Sequence, residues 1–323
     1  MERNKLIRNS PYSRISGFKE LPLLIVIIII GIALTFLSPN FLNTQNLFAV
    51  LLGASFDAIV AVGMTLLLIS GGFDLSIGSV VGFGGVMAGK MLVSGQGTVV
   101  AVLVGLLAGA FIGLINGFII AKIKVNPLIT TLAMLSIARG TIYIITKGLG
   151  IPTLPDSFNI IAQKKFYGIQ TPIIIMLVFI ILAEIFFRKL VFFKQYFFIG
   201  GNEESARLSG IKVYLLKLLT YIISGTMAAL AGVLMAARMG GAISTAGTGM
   251  ELRVITACVI GGCSLAGGVG SMLGSFLGVL LMALVTNSFN LLGVSVYWQS
   301  AAMGLILLVA VLADVLRRRR LEE

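Results

Sequence analysis

The chain has 323 residues, 58% of them hydrophobic and only 11% charged, with a mean hydropathy of +1.07 and a formal net charge of +12. That balance excludes a soluble globular domain. Histidine is absent altogether, which removes HExxH zinc chemistry, bis-histidine haem ligation and any Ser-His catalytic pair, and no metal site is expected.

Crossing about 30 Å of hydrocarbon takes roughly 20 apolar residues. Runs of that kind fall at 21–37, 49–70, 76–94, 98–121, 127–146, 172–187, 214–237, 251–267, 270–291 and 296–315. The expected fold is an all-α polytopic membrane protein of about ten transmembrane helices. Residues 1–20 form a basic segment, 21–315 a single transmembrane domain with a charged loop at 188–213, and 316–323 a tail. Leu21–Leu37 is long for a signal-peptide core and lacks a small-residue cleavage site, so it reads as the first span.

Taken in order, the next landmark is Ser70–Ser79, SGGFDLSIGS, with Gly71, Gly72, Asp74, Ser76 and Gly78. It is either a broken helix lining a cavity or a plain turn in which Asp74 caps the following helix. Gly84–Lys90 matches GxxxxGK in form, but Met91 replaces the magnesium-binding Ser or Thr and the run lies inside a span, so no nucleotide binds there. Gly105, Gly109, Gly113 and Gly117 recur every four residues, as do Gly270, Gly274 and Gly278. Such stripes let backbones approach closely in lipid, within a bundle or at a subunit interface.

The span 127–146 is polar for its surroundings, with Thr130, Thr131, Ser136, Arg139 and Thr141 following Asn126. It faces a wet translocation pathway, or Arg139 pairs with a carbonyl or an acid for assembly. Asp57 and Glu184 fall nearer span ends, within reach of water. Cys258 and Cys263, five apart in one span, point in different directions and are expected to be inert. Gly261–Ser271, GGCSLAGGVGS, echoes the first junction: Gly71, Gly72, Leu75 and Gly78 align with Gly261, Gly262, Leu265 and Gly268. Asn287, Asn290 and Gln299 add neutral polar groups near the junction of the last two spans, the first two as further candidates for the pathway.

Lysine and arginine set the orientation, because cytoplasmic loops collect them. With the N-terminus inside, 17 of the 24 fall on the cytoplasmic side, 5 on the other and 2, Lys90 and Arg139, within spans. Both termini and the 188–213 loop are therefore expected in the cytoplasm. The net charge is a topology signal reinforced by anionic membrane lipid, Arg317–Arg320 is a stop anchor, and no nucleic-acid partner is implied.

Within that loop Ile199–Ile211, IGGNEESARLSGI, carries a complete short-helix signature. Asn202 is an N-cap, Glu203 and Glu204 favour the first turn, and Gly210 suits the left-handed end. Glu203 and Arg207 stand at i and i+4 in the better orientation for an ion pair. About two turns, roughly 11 Å, cannot persist alone in water, so the flanks or a partner must hold them. Intramembrane carboxylates are few, which favours an external energy source over ion coupling. An ion-coupled secondary carrier is the rival reading.

Five blocks, FLSPNFLNTQNLFAVL at 36–51, AVGMTLLLISGGFDLSIGS at 61–79, IGGNEESARLSGIKV at 199–213, AGTGMELRVITACVIGGCSLAGGVGS at 246–271 and NSFNLLGVSVYWQ at 287–299, resemble the permease subunits of bacterial ABC importers for monosaccharides such as ribose. The resemblance implies a type II ABC importer-like bundle in the bacterial inner membrane, paired as a homodimer. It implies two partners, a cytoplasmic ABC ATPase that carries the ATP and magnesium, and an extracytoplasmic sugar-binding protein. No cofactor or catalytic residue falls to this chain. The loop after the sixth span would hold the ATPase coupling helix, Asn202, Glu203, Glu204, Ser205, Ala206, Arg207 and Gly210, similar to an EAAxxxG pattern with Ser205 for the second residue. Permeases for a nucleoside, a branched amino acid or a furanosyl signal compound are the alternatives within the same class.

Overall fold

The computed structural model describes residues 20–322. The expected basic segment lies outside the described residues up to position 19, as do the side chains of Arg317–Arg320. The described chain is helical apart from one two-stranded hairpin. Its elements are α1 Leu21–Leu37, α2 Thr44–Ile69, α3 Ile77–Val93, α4 Thr98–Phe118 with a π-turn at Ile119–Ile123, α5 Pro127–Thr146, α6 Asp156–Gln163 and the hairpin Lys165–Phe166/Ile169–Gln170. There follow α7 Thr171–Lys189, α8 Val191–Gly201, α9 Glu203–Leu208, α10 Val213–Met239, α11 Met250–Ile260, α12 Met272–Leu291 and α13 Val296–Glu322.

Local chemistry sets these boundaries. Asn43, Asn126 and Ser271 accept backbone N–H groups at the starts of α2, α5 and α12, and Gly240, at φ +66°, closes α10. Among the described residues seven helices are long and apolar enough to cross a membrane: α2, α4 with its π-turn, α5, α7, α10, α12 and α13; α1 and α3 are shorter apolar helices of 17 residues. The span expected at 251–267 is not one helix. α11 has 11 residues, about 16 Å, and irregular backbone flanks it on both sides. Gly247 and Gly249 before it and Gly262, Gly267 and Gly268 after it take positive φ, which ends helical geometry at both points.

α10 is the centre of the bundle, and glycine lets its neighbours close on it. A side chain at Gly109 would strike Ala229 and the Gly225 carbonyl, at Gly113 the Tyr221 carbonyl, and at Gly117 the Leu218 backbone. Gly105 meets the Gly84 carbonyl and Val233, each 2.8 Å from where its Cβ would sit. The GGVMAGK run is part of this packing, since Gly84 faces Ala229 and Gly85 faces the Gly232 carbonyl. Gly274 and Gly278 seat α12 on the Gly261 and Ala257 carbonyls of α11, and Gly270 packs on Ile69 and Cys263. Both stripes are thus consumed inside one chain, which leaves them no face for a second subunit.

Two segments lie at membrane depth without being helical. Tyr221, eight residues into α10 and so about 12 Å from its start, donates to the Phe73 carbonyl at 3.2 Å, which holds the first junction well inside the bundle. On the opposite side, Gly241–Gly249 runs down α3. Side chains at Gly89, Gly82 and Gly78 would meet Ala242, the Ala246 carbonyl and the Gly247 carbonyl in turn, a descent of roughly 16 Å at the helical rise. This descent carries Arg253, in the first turn of α11, against Asp57 of α2.

Candidate coupling and translocation site

α9 has six residues, shorter than the expected two turns, and its caps are complete. The Asn202 side chain accepts the Ser205 N–H at 2.8 Å, and Gly210, at φ +82°, closes the C-terminal end with its N–H on the Arg207 carbonyl. The ion pairs differ from the i, i+4 expectation. Arg207 pairs with Glu204 one turn back, while Glu203 faces the start of α10, where Lys217 reaches it at 2.5 Å. The first pair is fully exposed, and Arg207 holds the Glu204 carboxyl below the usual carboxylate range. Ala206 is buried; Leu208 is exposed. Beside α9 a groove of about 460 Å³ is lined by Phe197, Phe198, Asn202, Ser205, Ser209 and Ile211 among others.

Gly200, at the end of α8 just before this knob, joins it to both glycine junctions. A Cβ at Gly200 would collide with the Ile69 carbonyl and the Gly268 N–H, a pair already hydrogen-bonded at 2.9 Å. A Cβ at Gly267 would lie 2.7 Å from the Gly200 carbonyl and 2.8 Å from the Gly71 Cα. Three backbones from distant parts of the sequence therefore touch without side chains between them. The two segments that echo each other in sequence meet across the base of α9.

The first junction is a packed polar turn. Asp74 accepts the Ser76 N–H at 2.8 Å and the Ser76 hydroxyl at 2.5 Å, and Asn116 on α4 donates to Ser76 at 3.0 Å and to Asp74 at 3.5 Å. Asp74 and Ser76 are fully buried, so Asp74 fixes the entry to α3 and lines no open cavity. Gly72 packs on the Tyr221 hydroxyl, and the Glu251 carboxylate occupies the place a Gly78 side chain would need.

Arg139 satisfies the irregular descent of the chain. Its Nη1 donates to the Ser244 carbonyl at 2.7 Å and the Ala246 carbonyl at 3.0 Å, and its Nη2 to the Gly78 carbonyl at 3.2 Å. Backbone that leaves a helix at membrane depth must find such partners. The other polar candidates are scattered. Thr130 and Thr131 donate to the Asn126 and Pro127 carbonyls of their own helix, and Ser136 lies on an exposed face of α5. Asn287 exchanges hydrogen bonds with Asn46, and Asn290 accepts from Gln299. The structure does not bring these residues to one place.

The structure gives several residues a place that the sequence did not assign them. Gly200 hides among 39 glycines and only its contacts distinguish it. Asp57 sits mid-helix, because α2 begins at Thr44 and not 49, and Arg253 grips it with Nε and Nη2 at 2.6 and 3.0 Å. Glu184 accepts the Leu273 N–H at 3.3 Å near the start of α12 and pairs with Arg188. Asp314 accepts from Ser264 and from the Leu265 N–H, bordering a cavity of about 600 Å³ with Gly200, Gly267 and Gly268. Cys258 and Cys263 are free, buried thiols.

A bundle of long apolar helices with an exposed, capped loop helix and buried glycine junctions has the form of a membrane transport permease. The chain belongs to the family described as branched-chain amino acid transport system / permease component, which matches residues 46–311. It is 39% identical to the ribose import permease protein of Escherichia coli K12 over 90% of this chain and 92% of that protein. It is 38% identical to the L-arabinose transport system permease protein of the same strain, over 90% and 89%. Identity is also 38% to the ribose import permease protein of Bacillus subtilis, over 91% of each chain. No solved structure matches the chain significantly. Family and apolar helices together set it in the bacterial cytoplasmic membrane, where ABC permeases of this family work with an ATPase and a solute-binding protein.

Proposed function

We propose that this chain is the transmembrane permease subunit of an ATP-driven importer, forming the path for a monosaccharide such as ribose delivered by an extracytoplasmic binding protein. The sugar class is supported by the names of the most similar relatives, which cover ribose and arabinose. The observation that carries the mechanism is the contact of Gly200 with both glycine junctions directly behind the capped α9 knob. Movement of α9 by an ATPase is transmitted there, backbone to backbone, to the ends of α2 and α11. On this reading the polypeptide crosses the membrane ten times as one domain over 21–315, counting α1, α3 and the α11 segment as crossings, with both termini and the 188–213 loop in the cytoplasm. Two copies pair in lipid around one pathway. ATP and magnesium stay on the ATPase, and the permease has no catalytic site of its own. Thr130, Thr131, Ser136, Asn287 and Asn290 are peripheral to the path, and Arg139 supports its wall.

The test is uptake by the complete transporter in proteoliposomes. Glu204→Lys reverses the charge next to Arg207, and Gly210→Pro demands φ near −65° where the chain sits at +82° and removes the N–H bonded to Arg207. Both variants are expected to insert normally while uptake is lost and ATP hydrolysis no longer follows solute supply. Full uptake in both would remove α9 from the coupling path. Uptake driven by a proton or sodium gradient without the ATPase would establish an ion-coupled carrier instead.

A further inference from the structure

The chain turns two kinds of face outward. Along α1, α4 and α13 the exposed residues include Ile25, Ile29, Leu107, Phe111, Leu308 and Leu312, a surface suited to acyl chains. One strip differs. On α2, Ala49, Gly53 and Asp57 recur every four residues and share a face; beside them the turn into α11 leaves Thr245 and Thr248 exposed and brings in Arg253. Asp57 lies roughly 18 to 20 Å from either end of α2 by the helical rise, at the middle of the membrane.

The ion pair there is not sealed in the core. The side chains of Arg253 and Asp57 keep 35% and 13% of their exposure. Nε and Nη2 of Arg253 are spent on Asp57, and its Nη1, with two further N–H donors, has no hydrogen-bond partner among the described residues. Partly open charges and a free donor at mid-membrane are strongly disfavoured against hydrocarbon and favoured against water. The flanking Ala49, Gly53 and Thr248 offer no large apolar group to lipid.

We propose that this strip of α2 and α11 lines the aqueous translocation pathway, and that Arg253 and Asp57 form a polar station for the hydroxyl groups of a neutral, polyhydroxylated solute. The proposal rests on the permease reading above for the solute, and on the geometry alone for the lining. Carboxylate oxygens accept from hydroxyls while Nη1 donates to them, so one pair meets adjacent hydroxyls with both kinds of partner. Because each charge is already balanced by the other, no counter-ion has to travel with the solute. The hold is weak, as a route requires, since a site that binds too well stops conduction.

The test is cysteine accessibility in cells carrying the complete transporter. Cys258 and Cys263 are buried and give an unreactive background. Gly53 has open space where a side chain would go, so Gly53→Cys fits, and Thr248→Cys probes the α11 side; Leu107→Cys reports the apolar face of α4. A charged, membrane-impermeant thiol reagent is expected to modify the first two at least about tenfold faster than Leu107→Cys, because only hydrated thiols ionise and react. Modification of Thr248→Cys by a lipid-soluble maleimide alone would make the strip a lipid face. Resistance to both reagents, with disulfide cross-linking between two copies, would make it a subunit interface; either result overturns the proposal. These outcomes do not depend on cargo or energy source, so they are separate from failure of the permease reading. Arg253→Lys keeps the charge but replaces the planar fork with a single ammonium that cannot grip Asp57 at two points and also present a separate Nη1; initial uptake is expected to fall about tenfold at unchanged membrane level. Unaltered uptake would show that the solute does not touch Arg253.

Discussion

Gly200→Ala is the sharpest test of the link between α9 and the bundle. The added methyl would fall onto the Ile69 carbonyl oxygen and the Gly268 nitrogen, both backbone atoms, with the Ile69 carbonyl carbon 3.0 Å away. Backbone cannot rotate aside as a flexible side chain does, so α8 must move off the junctions. Overpacking of this kind costs about 1–3 kcal/mol, and loss of the 2.9 Å hydrogen bond from Gly268 to Ile69 adds about 1 kcal/mol. Together the substitution is expected to destabilise this corner by about 2–4 kcal/mol. Gly201→Ala is the internal control, since its Cβ meets nothing within 4 Å and its φ is ordinary. Thermal unfolding in detergent, read beside ATP-coupled uptake, separates the two variants. Gly200→Ala should lower the melting temperature and uncouple hydrolysis from uptake, while Gly201→Ala should match the parent in both. Equal behaviour of the two variants would refute the reasoning, because only their contacts differ.

Two other substitutions probe the non-helical segments. Arg139→Leu strips three carbonyls, those of Ser244, Ala246 and Gly78, of their donors and is expected to cost at least about 3 kcal/mol, seen as a lower melting temperature; a change below about 0.5 kcal/mol would mean water satisfies them instead. Asp74→Ala orphans the buried Ser76 N–H and hydroxyl and should cost about 2–4 kcal/mol, whereas Asp74→Asn keeps an acceptor for Ser76 and should cost less. Equal losses in the two Asp74 variants would show that charge, and not the turn, is what matters there.

Composition and spacing made much of this legible. Apolar runs located the long helices, because a bilayer admits few other arrangements of backbone. Asn202 and Gly210 announced α9 because caps are local, and the four-residue glycine stripes announced close packing because helical period is local too. What the stripes touch is not local. That Gly109 rests on Gly225, or Gly278 on Ala257, follows only from the fold. Glu203 was paired with Arg207 by spacing, yet Lys217, fourteen residues away, takes it, since an exposed i, i+4 pair is too weak to outrank a neighbour brought in by tertiary structure.

The span expected at 251–267 shows where local reading fails and why. Apolar content from 251 to 267 is sufficient for a helix, but hydropathy does not register backbone conformation. Glycines at 247, 249, 262, 267 and 268 adopt φ values that a helix cannot contain, and each break exposes carbonyl and N–H groups. The same breaks explain residues that looked unrelated in the sequence. Arg139 serves the carbonyls above α11, Asp314 serves the turn below it, and Gly200 accepts the close approach of that turn to α8. On the coupling proposed above, α11 runs from the turn packed on Gly200 to the Asp57–Arg253 pair, so a push at the α9 knob would reach the polar strip through eleven residues of helix.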